Sequence, residues 1–204
     1  PEIKSEIEAS EDGLANQSPK DLEIAVMFTD LVGFTKLSEN MEPKAVLKLL
    51  STYQTLMVET IFQHSGTVDK FIGDAVMANF GTPRSHGNDA QNAFECALVM
   101  NEKLAAWNVE REASGLQKIS HRIGIHFGPC VAGKMGSEQR VEFSVIGDTV
   151  NVASRICDAC KEFDTNLLIS DELAKRITYS ENTEPVNGYE IRGRNEPINL
   201  VKIY

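Results

Sequence analysis

The sequence predicts an α+β sandwich, a β-sheet with helices packed against one of its faces. Three observations lead there. Strand-like and helix-like segments alternate irregularly along the chain. Two long segments read as helices, each closed by a glycine. No internal repeat or low-complexity tract breaks the pattern.

The elements follow in order. Residues 1–20, PEIKSEIEASEDGLANQSPK, are polar and acidic and read as a linker, with the folded domain at 21–204. LEIAVMFTD reads as a strand that ends on an acid, Asp30. MEPKAVLKLLSTYQTLMVETIFQHSG predicts a long helix. Pro43 sits in its first turn, where a missing N–H costs nothing, and Gly66 ends it. Val46, Leu49, Leu50, Tyr53, Met57 and Ile61 recur at helical spacing, which marks a core face. TVDKFIGDAVMANFG carries two apolar arms around Ile72–Gly73, a hairpin pattern. A second helix spans NDAQNAFECALVMNEKLAAWNVEREASG and stops at Gly115. SHRIGIHFGPCVAGKMG reads as strand and turn, and VEFSVIGDTVNVASRICDAC as strand, turn and third helix. NLLIS, DELAKRI, GYEIRG and INLVKIY close the chain as strand, short helix and two strands.

Composition bounds the function. The chain has 204 residues, 42% hydrophobic and 25% charged, which suits one sizeable soluble domain or one domain plus a tail. Thirty acids against 20 bases leave a net charge of −10. That disfavours non-specific binding to nucleic acid or anionic membrane. An anionic substrate remains possible if cations or a local basic cluster receive it. No run approaches the roughly 20 apolar residues that span a bilayer, and no signal peptide is visible. The chain begins at Pro1 rather than Met, so a piece of a longer protein is expected. Four cysteines, Cys96, Cys130, Cys157 and Cys160, are too few for a disulfide framework and fit a reducing cytosol. CDAC has redox spacing but no nearby His, and packing is the plainer reading.

Asp30 and Asp74 each sit beside a glycine at the end of an apolar strand arm, in FTDLVG and IGDAVM. Two such carboxylates on adjacent strands make a site for a hard cation, unless both are merely solvated at strand ends. The turn LVGFT presents consecutive backbone N–H groups, as a phosphate nest does. In GDTVNVASR, Asn151 and Arg155 are four apart on one helix face, capped by Asp148 or Thr149. An amide and a guanidinium aimed together suit charge on phosphate oxygens; an ordinary exposed helix face is the alternative. Lys70 reads by default as a solvent-facing strand lysine, and Arg192 and Arg194 in EIRGRNEP form a small basic spot of the kind a turn carries more often than a site.

Together, MFTDLVGFT, TVDKFIGDAVMANFG, RIGIHFGPCVAGKMG and VIGDTVNVASR resemble the catalytic domain of class III nucleotidyl cyclases, in order and spacing, over about residues 22–204. The resemblance implies a ferredoxin-like sheet with helices on one face. It implies a cytoplasmic domain with no membrane contact of its own, whether the parent is soluble or membrane-attached, and makes residues 1–20 an upstream coupling segment. Asp30 and Asp74 match two metal-binding aspartates that hold two divalent ions, Mg²⁺ or Mn²⁺, with help from the Leu31 carbonyl. Val32, Gly33, Phe34 and Thr35 match the phosphate-holding turn. Lys70 matches the base-selecting lysine of adenylyl cyclases, where guanylyl cyclases usually carry Glu. Asn151 and Arg155 match residues that orient the ribose and stabilise the transition state, and Arg192 a phosphate-binding base. The second base-selecting position, often Asp, is Ser144 here, which brings a hydroxyl without charge.

The activity implied is conversion of ATP to 3′,5′-cyclic AMP and pyrophosphate in a homodimer with active sites at the interface. One chain would supply Asp30, Asp74 and the turn; the other would supply Lys70, Ser144, Asn151 and Arg155. The alternatives are a guanylyl or dual-substrate cyclase, which Ser144 favours and Lys70 opposes, and a non-catalytic nucleotide-binding dimerisation module. A nucleotidyltransferase acting on nucleic acid is disfavoured by the acidic charge.

Overall fold

The computed structural model describes residues 19–137 and 140–204. Among the described residues, eight strands form one sheet: β1 Lys20–Leu31, β2 Thr67–Ile72, β3 Ala75–Phe80, β4 His121–Ser137, β5 Arg140–Ile146, β6 Leu167–Ser170, β7 Thr183–Tyr189 and β8 Ile198–Ile203. The helices are α1 Phe34–Glu39, α2 Pro43–Gln63, α3 Asp89–Ala113, α4 Asp148–Ala159 and α5 Asp171–Ala174. The strand order is β2-β3-β1-β4-β6-β8-β7, with β5 added on β4. Among the described residues, β4 and β6 are the only neighbouring strands that pair in parallel. The expected linker lies almost wholly outside the described residues.

The α+β class stands, with one correction to the layering. Alternation along β1 sends Met27 to one face and Val26 to the other. Met27 joins Tyr53, Met57 and Ile61 of α2 and Phe94 and Met100 of α3 in the larger core. Val26 joins Ile24, Phe28 and, from α4, Ala153 and Cys157. The helices therefore occupy both faces, not one. Gly124 permits this: a Cβ there would lie 2.2 Å from the Cys157 backbone nitrogen, so only glycine lets α4 rest on β4.

Several expected elements shift. Beyond Ser120, SHRIGIHFGPCVAGKMG lies in one continuous strand, whose residues 121–132 pair with β1 and whose residues 131–137 pair with β5. The strand expected at GYEIRG lies upstream, at Thr183–Tyr189. Pro185 argues against a strand in the sequence, but β7 is the sheet edge, where a missing N–H is tolerated. Gly147 precedes α4, and neither Asp148 nor Thr149 caps it; the Thr149 hydroxyl donates instead to the Pro129 carbonyl at 2.7 Å. All four cysteines are buried free thiols. Burial pushes the Cys160 thiol up to about 12 and raises Cys157 well above the ordinary thiol range, so CDAC packs rather than reacts.

Candidate active site

Asp30 stands near the end of β1, opposite Arg122 of β4. Asp74 follows Gly73 in the turn between β2 and β3, and β3 pairs with β1 up to Thr29–Val76. The hairpin thus delivers the second acid to the first. Both are half-buried, and the two carboxyls are hydrogen-bonded. Burial, then the Asp74 charge and that hydrogen bond, push Asp30 up to about 6, while the Arg122 guanidinium pulls the other way.

Two acids held this close favour a bound proton or a bound cation. That donor set fits a hard divalent ion. Among the described residues no group of three or more His, Cys, Asp or Glu side chains assembles as metal ligands. A cation here would take its remaining oxygens from backbone, substrate or water, as Mg²⁺ commonly does. Leu31 buries its side chain, so only its carbonyl can contribute.

A buried polar chain backs this strand end. Thr29 and the Tyr53 hydroxyl are 2.9 Å apart, Tyr53 meets His121 Nδ1 at 3.2 Å, and His121 Nε2 meets Asn101 Oδ1 at 2.8 Å. Tyr53 and His121 looked like a core aromatic and an ordinary strand residue in the sequence. Burial lowers His121 to about 4, which keeps the ring neutral.

The turn after Asp30 is partly committed. Val32 donates its N–H to the Ser120 carbonyl at 2.8 Å and so leaves the phosphate-binding set. Gly33 has φ +68°, a conformation glycine adopts without strain, and its carbonyl accepts from Leu37 at 3.0 Å. The N–H groups of Phe34 and Thr35 then begin α1 without intrahelical acceptors.

Lys70 belongs to a separate cluster. The β2–β3 pairing shifts between Val68 and Lys70, so Asp69 is an extra, bulged residue. The bulge lets consecutive side chains reach β5. Lys70 Nζ lies 3.4 Å from Glu142 and 3.5 Å from Asp69. Ser144 is 2% exposed, and its hydroxyl donates to both Asp69 oxygens, at 2.7 and 2.9 Å. The Val145 N–H adds a third bond at 3.2 Å. Asp69 was missed in the sequence; the available signal was a second charge beside Lys70 in a six-residue strand.

Asn151 and Arg155 lie exposed on α4, as their spacing implied. Among the described residues Arg155 pairs only with Asp158, at 3.5 Å, with both side chains more than half exposed. Arg192 is exposed after β7, while Arg194 reaches Asp148 at 3.6 Å. Among the described residues no hydrogen bond or ion pair joins Lys70, Asn151, Arg155 or Arg192 to Asp30 or Asp74. Within one chain the candidate residues form separate groups.

Known proteins share this arrangement of sequence and fold. The family model for the adenylate and guanylate cyclase catalytic domain matches residues 16–202. Adenylate cyclase 1 of Rhizobium meliloti is 35% identical over 181 residues, which cover 89% of this chain and 27% of that protein. The chain spans about a third of the length of the curated relatives it matches. The adenylyl cyclase CyaB from P. aeruginosa superposes with a TM-score of 0.85 at 30% identity, covering 92% of this chain and 96% of that one. The guanylyl cyclase Cya2 superposes with a TM-score of 0.81, also at 30% identity, covering 92% and 94%.

Proposed function

Since the chain belongs to the adenylate and guanylate cyclase catalytic domain family, we propose that it converts ATP to 3′,5′-cyclic AMP and pyrophosphate. The observation that carries this reading is the Asp30–Asp74 pair, whose mutual repulsion a divalent ion would relieve. An adenylyl and a guanylyl cyclase are equally identical to the chain, so the base preference rests on its own residues. Lys70 has no acceptor and suits the acceptor nitrogen of adenine better than the N–H of guanine.

Asp30, Asp74 and the Leu31 carbonyl would hold two Mg²⁺ or Mn²⁺ ions. When bound, such ions acidify the ribose 3′-hydroxyl and neutralise the triphosphate. The residues of the chain do the positioning. Gly33, Phe34 and Thr35 turn N–H groups toward the phosphates. Asn151 orients the ribose so that its 3′-oxygen faces the α-phosphorus. Arg155 stabilises charge on the α-phosphoryl oxygens, and Arg192 binds phosphate. The 3′-oxygen forms its bond to the α-phosphorus as the bond to pyrophosphate breaks. No covalent enzyme intermediate is needed.

The separation of these groups within one chain supports a two-fold homodimer with composite sites. The strands beside the base-reading cluster expose apolar surface. Phe71 and Ile72 on β2 are 48% and 53% exposed, and Val141 and Ile146 on β5 are 54% and 55%. A partner that covers this patch would bring Lys70, Ser144, Asn151 and Arg155 to its own Asp30 and Asp74. Free buried thiols fit a cytoplasmic setting, and among the described residues no helix is long and apolar enough to cross a membrane.

A product assay with ATP and GTP, with and without Mn²⁺, tests the proposal. Metal-dependent cyclic AMP is expected, with cyclic GMP in lesser yield. Absence of both products with metal present would leave a nucleotide-binding dimerisation module.

A further inference from the structure

We infer that Asp69 is a specificity-positioning residue that makes Ser144 an adenine reader; the inference rests on the cyclase activity proposed above. A serine hydroxyl is ambivalent, since it can donate one hydrogen bond or accept two. Adenine presents an amino donor at the position where guanine presents a carbonyl acceptor. A freely rotating Ser144 would therefore serve both bases, by accepting from one and donating to the other. An aspartate at that position would only accept.

The structure removes the ambivalence. The Ser144 hydroxyl directs its one proton to the Asp69 carboxylate, at 2.7 and 2.9 Å. Only lone pairs remain for a nucleobase. Asp69 is itself fixed: its side chain is 1% exposed, Val145 N–H donates to it at 3.2 Å, and the Lys70 ammonium balances it at 3.5 Å. The bulge in β2 is the backbone device that aims it, because Asp69 has no residue opposite it on β3. Ser144 backed by Asp69 thus does at one remove what a direct aspartate does. It accepts the adenine amino group and sets lone pair against lone pair on the guanine carbonyl. Lys70, held between the same carboxylate at 3.5 Å and Glu142 at 3.4 Å, reads the neighbouring ring position.

The test is the ratio of kcat/KM for ATP to that for GTP. It is measured for the wild type, Asp69→Asn, Ser144→Ala and the double variant, with melting curves to verify folding. An amide at 69 offers the Ser144 oxygen a donor as well as an acceptor and frees its proton. Asp69→Asn should lower the ratio about tenfold, the discrimination of roughly one hydrogen bond. Ser144→Ala should lower it similarly, and the double variant no further. A merely structural role would slow both substrates alike. An unchanged ratio in Asp69→Asn, or an equal fall when Ser144 is already Ala, overturns the inference. If Asp69→Asn does not fold, Ser144→Thr must keep the ratio and Ser144→Ala must lose it; a ratio indifferent to Ala overturns it equally. A wild type that forms neither cyclic nucleotide overturns the cyclase reading and this inference with it. An ATP-selective wild type with indifferent variants overturns this inference alone.

Discussion

Gly124→Ala should separate positioning from chemistry. The added Cβ would sit 2.2 Å from the Cys157 nitrogen, 2.6 Å from the Cys157 Cα and 2.8 Å from the Ala153 carbonyl oxygen. All three are backbone atoms, so no side chain can rotate away. To restore ordinary contact the whole of α4 must lift by about 1 Å or more, and ordinary overpacking already costs about 1–3 kcal/mol. The clash with helix backbone places this substitution at or above the top of that range, a large share of the roughly 5–15 kcal/mol that holds a domain together. The same shift carries Asn151 and Arg155 with the helix. A displacement of about 1 Å in positioning groups can cost about 10²-fold in rate. Urea melts give the stability change and cyclic AMP formation gives the rate. A Gly124→Ala chain within about 0.5 kcal/mol of wild type and at full speed would refute both the packing of α4 and its role in aligning the site.

Three other outcomes follow from the same structure. Asp30→Asn removes one of two like charges that share a site, so it should melt higher than wild type in EDTA and lose the stabilisation that Mn²⁺ gives the wild type; a retained Mn²⁺ shift would contradict the metal assignment. Burial lowers His121 and His126 to about 4, below the ordinary 6.5, so stability is full above 6.5 and falls as the pH drops toward 4. Between about pH 7.5 and about pH 5 His121 alone accounts for about 2 kcal/mol, and urea melts at those two values should show a shallower dependence in His121→Asn. Arg155→Ala should lower kcat by about 10²–10³ with its melting curve unmoved, because the side chain is 51% exposed and lightly paired.

Local periodicity made much of the fold legible. The face of α2 was readable because Leu49, Tyr53, Met57 and Ile61 recur at helical spacing, and all four are buried. The hairpin was readable because glycine punctuates two apolar arms, and it brings Asp74 to Asp30. What escaped depends on contacts distant in sequence. The placement of α4 on the second face is decided by Gly124 meeting Cys157, which no local pattern encodes. The Thr29–Tyr53–His121–Asn101 chain draws on four elements, β1, α2, β4 and α3. Asp69 acts across 75 residues, through a bulge that strict alternation would not place. The family resemblance placed Val32 in the phosphate-holding turn, but its N–H is taken by Ser120, a partner 88 positions away.

Mixing two inactive chains tests the composite site most directly. Asp30→Ala lacks the acid pair and Asn151→Ala lacks the amide proposed to orient the ribose, so each alone should be silent. In an equal mixture half of the dimers pair one chain of each kind, and each mixed dimer keeps one intact site of two. Cyclic AMP formation should return to about a quarter of the wild-type rate. A mixture as silent as its parents, with mixed dimers shown to form, would contradict a site shared between two chains.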